Sequence, residues 1–384
     1  MESIVIVRAK RTVQGKLLGG LSGYDERDLA VFAGEAVLEG IDKSLIDMVV
    51  LGNVLSPQAN LARQVSRKIG LPISTSAYTV NMVCASGMMA VMQAANHIRL
   101  GQAQFVLCGG VESMTHVPFL LEKARMGYRY GDGALIDGLN MGLTDVLEQM
   151  AMGETAERLA KKYEVSREAQ DQFALNSHEK AMEAQQNGGF SDEWVTFPEL
   201  QKDESVREGT SLEKLASLKT VFDKEGSVTA GNASGLNDGA AMLLLCSDTM
   251  AEKHGLRALA QIDSYTTIGC DPEIMGIGPA LAIDKLCRET KLTLEDFDSI
   301  ELNEAFAAQV LSCLREMSID DEDTRINADG GAIAMGHPLG ASGARILVHL
   351  AHRIAQGKSN RGLASLCVGG GLGAATCLRS SQNI

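Results

Sequence analysis

Residues 80–90 read VNMVCASGMMA and residues 336–345 read GHPLGASGAR. Both runs carry Ala-Ser-Gly where a helix begins, as Ala85-Ser86-Gly87 and as Ala341-Ser342-Gly343. The same offset lays Ala95 on Ala351, Ile98 on Ile354 and Gly101 on Gly357. With four residues added to the second copy, the glycine pair after Cys108 falls on Gly369 and Gly370. Each copy then reads loop, Ala-Ser-Gly, helix, Gly, strand, Gly-Gly. Such a repeat implies a duplicated α/β unit with a site between the copies.

The flanking sequence agrees with α/β layering. An apolar run at 4–7, a helical pattern at 28–38, a strand at 47–51, a helix at 60–69, a strand at 77–82, a helix at 86–100 and a strand at 105–108 alternate along the first part. From about 114 to 236 the texture is more polar, with one long amphipathic helix at 166–187. That stretch reads as an inserted, loop-rich domain. The expected division is therefore 1–113 plus 237–258 for one half, 114–236 for the insert, and 259–384 for the other half.

Composition narrows the function. Of 384 residues, 45% are hydrophobic and 22% charged, as in a soluble globular chain with an ample core. A net charge of −14 speaks against nucleic-acid binding. The longest uncharged stretch, 69–98, is laced with Ser, Thr, Asn and Gln and does not read as a membrane span. The first ten residues, MESIVIVRAK, hold no secretory signal. The 8 cysteines include no CxxC pair, so neither a disulfide framework nor a zinc site is expected.

Four positions could carry chemistry. Cys84 lies at a strand-to-helix junction, where free N–H groups and the helix dipole would favour a thiolate; a structural cysteine is the competing reading. His337 sits in 330–345, a run with five glycines, where it could activate a thiol; a phosphate loop with a bystander histidine is the alternative. Cys367 ends an apolar strand before three glycines whose N–H groups could form an oxyanion hole. On its own it reads as structural. Asn303, with Glu304, precedes an apolar helix and could be an N-cap or an amide that holds a water. Two thiols and one imidazole suit acyl transfer through a thioester. The GxGxxA spacing from Gly369 to Ala374 is too close to the end of the sequence for a dinucleotide-binding unit.

Six blocks stand in one order: VNMVCASGMMA, MGETAE (152–157), SVTAGNASGLNDGAA (227–241), NEAF (303–306), GHPLGASGAR and CVGGGLG (367–373). Together they resemble the thiolase family over essentially the whole chain. The resemblance implies an α/β thiolase fold, five-layered αβαβα from two βαβαβαββ halves. It implies Cys84 as acylated nucleophile, His337 as its activator and Cys367 as acid/base. Asn303 would hold an oxyanion-hole water, and the N–H groups of Cys84 and Gly369 would form a second hole. Arg207 would meet CoA phosphates, while Leu143, Met152, Phe222, Ala230 and Ser234 would line the CoA groove. Phe306 and Met275 would contact substrate, with Met275 and Met152 shortening the acyl pocket. CoA would be substrate and product, with no metal or other cofactor. The partners would be acetyl-CoA, acetoacetyl-CoA and CoA, in a cytoplasmic homodimer or homotetramer with neither membrane nor nucleic acid. A longer-chain 3-ketoacyl-CoA thiolase and a non-catalytic acyl-CoA binder are the alternatives. Three departures stand out: Ala151 where a His is common, Thr220 for Pro, and Asp329 for Asn.

Overall fold

The computed structural model describes residues 2–381. The first half runs β1 (Ile4–Thr12), α1 (Glu26–Val37), β2 (Met48–Gly52), α2 (Leu61–Ile69), β3 (Ser76–Val80), α3 (Ser86–Arg99), β4 (Phe105–Ser113). The insert follows, with helices α4 (Met152–Lys162) and α5 (Arg167–Gln186), and β5 (Asn237–Ser247) closes the half. The second half runs β6 (Ala260–Gly269), α6 (Gly278–Thr290), β7 (Ser299–Leu302), α7 (Ala307–Glu316), α8 (Leu339–Ala355), β8 (Arg361–Val368), β9 (Leu372–Arg379).

Strand order is β7-β8-β9-β6-β1-β5-β4-β2-β3. The two halves mirror each other about the β1–β6 seam, where only Ile4–Ile262, Val5–Gln261 and Ile6–Ala260 pair. β4 and β5 are antiparallel, as are β8 and β9. The second half has no full counterpart of β3, which shrinks to one bridge between Ile300 and Ile326. The glycine pairs also differ. Gly369 and Gly370 turn the β8–β9 hairpin, whereas Gly109 and Gly110 lie inside β4. The reason is that β4 and β8 begin at the same offset as the Ala-Ser-Gly runs, at Phe105 and Arg361, so no four residues are added before the strand and the two glycine pairs are not equivalent.

Period-2 alternation divides the core into layers. Ile4, Ile6, Leu243 and Leu245 face a cluster shared with α3 and α8. Val5, Val7, Met242 and Leu244 face α1 and α2. Across the second half, Leu363, Ala375 and Cys377 pack with α6, α7 and Ala156 of α4. Helices thus cover both outer faces, with α3 and α8 between. α8 is buried at every residue from Leu339 to His352, as a mostly apolar helix between two layers must be.

The central helices touch through glycine. A Cβ on Gly87 would lie 2.7 Å from the Gly340 carbonyl oxygen and 2.9 Å from the Ala344 nitrogen. One on Gly343 would meet the Met88 nitrogen at 2.7 Å, and one on Gly110 would come to 1.9 Å of the Gly340 oxygen. Backbone stands on both sides, so neither can give way.

A buried charge cluster clamps the insert to both halves. Arg11 of β1 bonds Glu193 at 2.8 Å and Asp203 at 2.8 and 2.9 Å. Glu193 also meets His349 of α8 at 3.3 Å, and His349 lies 3.2 Å from Asp329. Asp329, one of the three departures from the family pattern, is further paired with Arg353. Its charge is therefore matched within this cluster.

The packing and the charge cluster can each be tested. Gly110→Ala should cost about 1–3 kcal/mol or more by overpacking, whereas Gly23→Ala, with nothing near the added carbon, should stay within about 0.5 kcal/mol; urea midpoints decide. Burial opposes the charge on His349, but Glu193, Glu301 and Asp329 outweigh it and lift its pKa from 6.5 to about 9. Its stabilisation is complete below pH 6.5 and fades as pH rises through about 9. Burial likewise opposes the charge on Glu193, but Arg11 and His349 hold its pKa near 2, so its contribution fades as pH falls from 4.5 through about 2. Thermal midpoints should therefore decline on the alkaline side, and His349→Gln should flatten that decline. An identical alkaline decline in the variant would discard the assignment.

Candidate active site

Cys84 hangs from a strained turn. Val83, just before it, has φ +45°, a left-handed value that a β-branched residue rarely adopts. Neighbours enforce it. Asn81 Oδ1 accepts the Val83 N–H at 3.0 Å, Ser86 Oγ donates to the Val83 carbonyl at 2.6 Å, and the Met82 N–H donates to Ser86 Oγ at 2.9 Å. The strain aims Cys84 into a cavity of about 210 Å³ that also receives His337 and Cys367.

His337 is fixed from three sides. Its N–H donates to Asn237 Oδ1 at 3.0 Å, Nδ1 lies 2.5 Å from Ser342 Oγ, and Asn303 Nδ2 lies 3.5 Å from both ring nitrogens. Ser342 gives its own hydroxyl proton to the Pro338 carbonyl at 2.9 Å. The serine oxygen therefore accepts from Nδ1–H, which leaves Nε2 as the unprotonated, proton-accepting nitrogen. Asn303 is no helix cap, because α7 begins four residues later with Phe306 at its N-cap. Its buried Oδ1 has no protein partner.

Cys367 ends β8 and is 1% exposed. The N–H groups of Gly369 and Cys84 are directed at the Cys84 sulfur. Of the positions named from sequence, Leu143, Met152, Phe222, Ser234, Met275 and Phe306 line the cavity, as does Ala151. Asn303 stands behind His337, and Gly369 borders Cys84. Arg207 and Ala230 are exposed and outside the lining; the Arg207 N–H donates to His178 Nδ1 at 3.2 Å.

The electrostatics overturn one expectation. Cys84 keeps partial exposure through the cavity, yet burial of the thiol pushes its pKa up to about 11 against the pull of the two N–H donors. The helix terminus does not win. Burial drops His337 to about 4, assisted by the nearby Arg345 charge. Burial also raises Cys367 well above the usual thiol range. The resting site is a neutral thiol beside a neutral imidazole, not an ion pair.

Sequence reading missed Asn237, Ser342 and Glu112. Asn237 lay inside the block SVTAGNASGLNDGAA, but its partner is a hundred positions away. Among the described residues no group of His, Cys, Asp and Glu is arranged to hold a metal, and no helix is long and apolar enough to cross a membrane.

The neutral pair yields a direct test. Iodoacetamide alkylation of Cys84 should rise steadily with pH, with its midpoint near 11. A midpoint near 7 would mean a thiolate–imidazolium pair and would refute the neutral site.

Comparison with known proteins places this geometry. The family profile described as thiolase, N-terminal domain, matches residues 4–249, and thiolase, C-terminal domain, matches 256–380. The chain is 45% identical to the acetyl-CoA acetyltransferase of Cupriavidus necator over 98% of each chain. Its structure is similar to the Bacillus anthracis acetyl-CoA acetyltransferase, with TM-score 0.96, 42% identity and 99% of each chain covered. It is similar also to human mitochondrial 3-ketoacyl-CoA thiolase in complex with CoA, with TM-score 0.96, 40% identity and coverage of 99% of this chain and 98% of that one.

Proposed function

The chain belongs to the thiolase family, and we propose that it is an acetyl-CoA C-acetyltransferase that joins two acetyl-CoA into acetoacetyl-CoA and CoA, and runs the reverse thiolysis. The observation that carries this reading is one cavity shared by Cys84, His337 and Cys367.

Neutral His337 takes the Cys84 proton as the sulfur attacks the thioester carbonyl. The N–H groups of Cys84 and Gly369 stabilise the negative charge that develops on the carbonyl oxygen. The C–S bond to CoA breaks, and His337 returns the proton to the departing CoA sulfur. Acetyl then rests on Cys84. In condensation, Cys367 first gives its proton to neutral His337; its thiolate then removes an α-proton from the second acetyl-CoA, whose carbon attacks the acyl carbonyl, and His337 returns the proton to the departing Cys84 sulfur. In thiolysis, Cys367 protonates the departing carbanion. Burial keeps Cys367 a neutral thiol, which is the form thiolysis needs. Asn303, against His337, is suited to hold a water at the thioester oxygen.

Short substrates are favoured by the lining. Met152, Met275, Phe306 and Leu339 surround the small cavity, so an acyl tail of many carbons would have to displace them. The insert supplies Leu143, Phe222 and Ser234, which supports the 114–236 segment as the CoA-binding part, with Arg207 and Ala230 along an outer stretch of the groove. Homodimeric or homotetrameric assembly is supported by the family resemblance and by exposed apolar residues of the insert, such as Phe119, Leu135 and Leu147. A cytoplasmic setting and supply of acetoacetyl units to the mevalonate pathway rest on resemblance alone.

Thiolysis by CoA across a 3-ketoacyl-CoA chain-length series tests the reading. Acetoacetyl-CoA should be cleaved fastest, and Cys84→Ala should lose at least about a thousandfold in kcat. Met275→Ala should admit longer chains. Rates that climb with chain length in the native enzyme would favour the β-oxidation alternative. Turnover that survives Cys84→Ala would end the acyl-cysteine mechanism.

A further inference from the structure

Glu112, near the end of β4, is 1% exposed. Among the described residues no Lys, Arg or His side chain forms an ion pair with it. Its carboxylate is met only by donors. Oε1 accepts from Asn53 Nδ2 at 3.0 Å and from the Leu55 N–H at 3.1 Å. Oε2 accepts from the Val54 N–H at 3.1 Å and from the Gly340 N–H at 3.0 Å. The last contact crosses between the halves. Gly340 lies in the first turn of α8, whose N-cap, Pro338, offers no side-chain cap. Glu112 thus caps, from the opposite half, the helix that follows His337, where a carboxylate complements the helix dipole.

The junction is tight. A Cβ on Gly340 would lie 2.4 Å from the Val111 carbonyl oxygen and 3.1 Å from Glu112 Oε2. Two converging donors on each oxygen make the pocket specific for a carboxylate. Glutamine would turn an NH₂ group toward two N–H donors. An anion buried without a counter-ion is expensive, so a purely structural need would be better met by a neutral group.

We propose that Glu112 is a positioning residue for acyl transfer, a carboxylate that locks the N-terminus of α8, and with it His337, against the turn that carries Cys84. The proposal rests on the acyl-transfer reading above. Two titratable groups face Glu112. One is Glu26 of α1, linked to the neighbouring loop through Ser56 Oγ at 2.6 Å. The other is the Cys84 thiol, whose pKa the Glu112 charge helps to raise. Burial, offset in part by its N–H donors, lifts Glu112 itself to about 7.

Glu112→Gln in the full-length protein tests this with two readouts. In acetoacetyl-CoA thiolysis, kcat should fall about tenfold or more while KM stays within about twofold. In the resting enzyme, the pH midpoint for iodoacetamide alkylation of Cys84 should move down, because a nearby negative charge has gone. The alkylation arm needs no turnover, so it judges Glu112 even if the native protein proves inactive on acetoacetyl-CoA, a result that would count against the acyl-transfer reading instead. Unchanged kcat together with an unchanged midpoint overturns the proposal. Should Glu112→Gln fail to fold, Asn53→Ala removes one donor and keeps the carboxylate. A several-fold loss of kcat at constant KM in that variant supports the proposal, and a native kcat overturns it.

Discussion

Everything in this molecule hangs on two helix N-termini brought to backbone contact. Gly87 against Gly340 and Ala344, and Gly343 against Met88, let α3 and α8 approach closer than any side chain would allow. Because Cys84 precedes α3 and His337 precedes α8, that approach also brings these two residues to one cavity. Packing and chemistry share one constraint. The helices can be this close only because sheet residues bury them from both sides, which explains why α8 is apolar nearly all round and why its few polar residues each have a task. Ser342 orients His337, Arg345 assists burial in keeping it neutral, and His349 joins the clamp to the insert.

Burial, rather than the helix dipole, sets the charge state of the site. A helix terminus is worth about 0.3–1 kcal/mol in exposed settings, whereas taking a charged thiolate out of water costs several. Desolvation outweighs the dipole, so Cys84 and His337 rest neutral. On the proposed mechanism, charge then appears only as the thioester is attacked, at the point where the N–H groups of Cys84 and Gly369 stand ready. Preorganised donors of this kind act on the transition state more than on the resting enzyme.

The sequence made the repeat, the element order and the nucleophile turn legible, because each leaves a local trace. Ala-Ser-Gly recurs at fixed spacing, and the α5 expectation of 166–187 meets observed caps at Ser166 and Asn187. Cys84, His337 and Cys367 were legible as a set, since each sits beside a glycine-rich break. What escaped is held by long-range partners. Asn237 reaches His337, Glu112 reaches Gly340, and Glu193 reaches both Arg11 and His349. No periodicity announces such contacts. The thiol pKa was misjudged for a related reason: burial is a property of the assembled layers, not of the junction itself.

The departures from two-fold likeness fall where the function is. In the first half the β4–β5 turn has opened into the insert, which lines the cavity with Leu143, Met152 and Phe222. In the second half the equivalent hairpin stays tight and delivers Cys367 and Gly369. The counterpart of β3 has dissolved to a single bridge, freeing residues 318–338 as a largely irregular segment. Glu304 holds that segment through Asn327 Nδ2 at 2.8 Å and the Ile333 N–H at 3.1 Å, so that it delivers His337 to the cavity. Two equivalent units with identical loops would present two identical groups to one cavity. Breaking the likeness at these two positions sets a cysteine, a histidine and a second cysteine around the cavity instead, while the paired glycine helices keep the common frame.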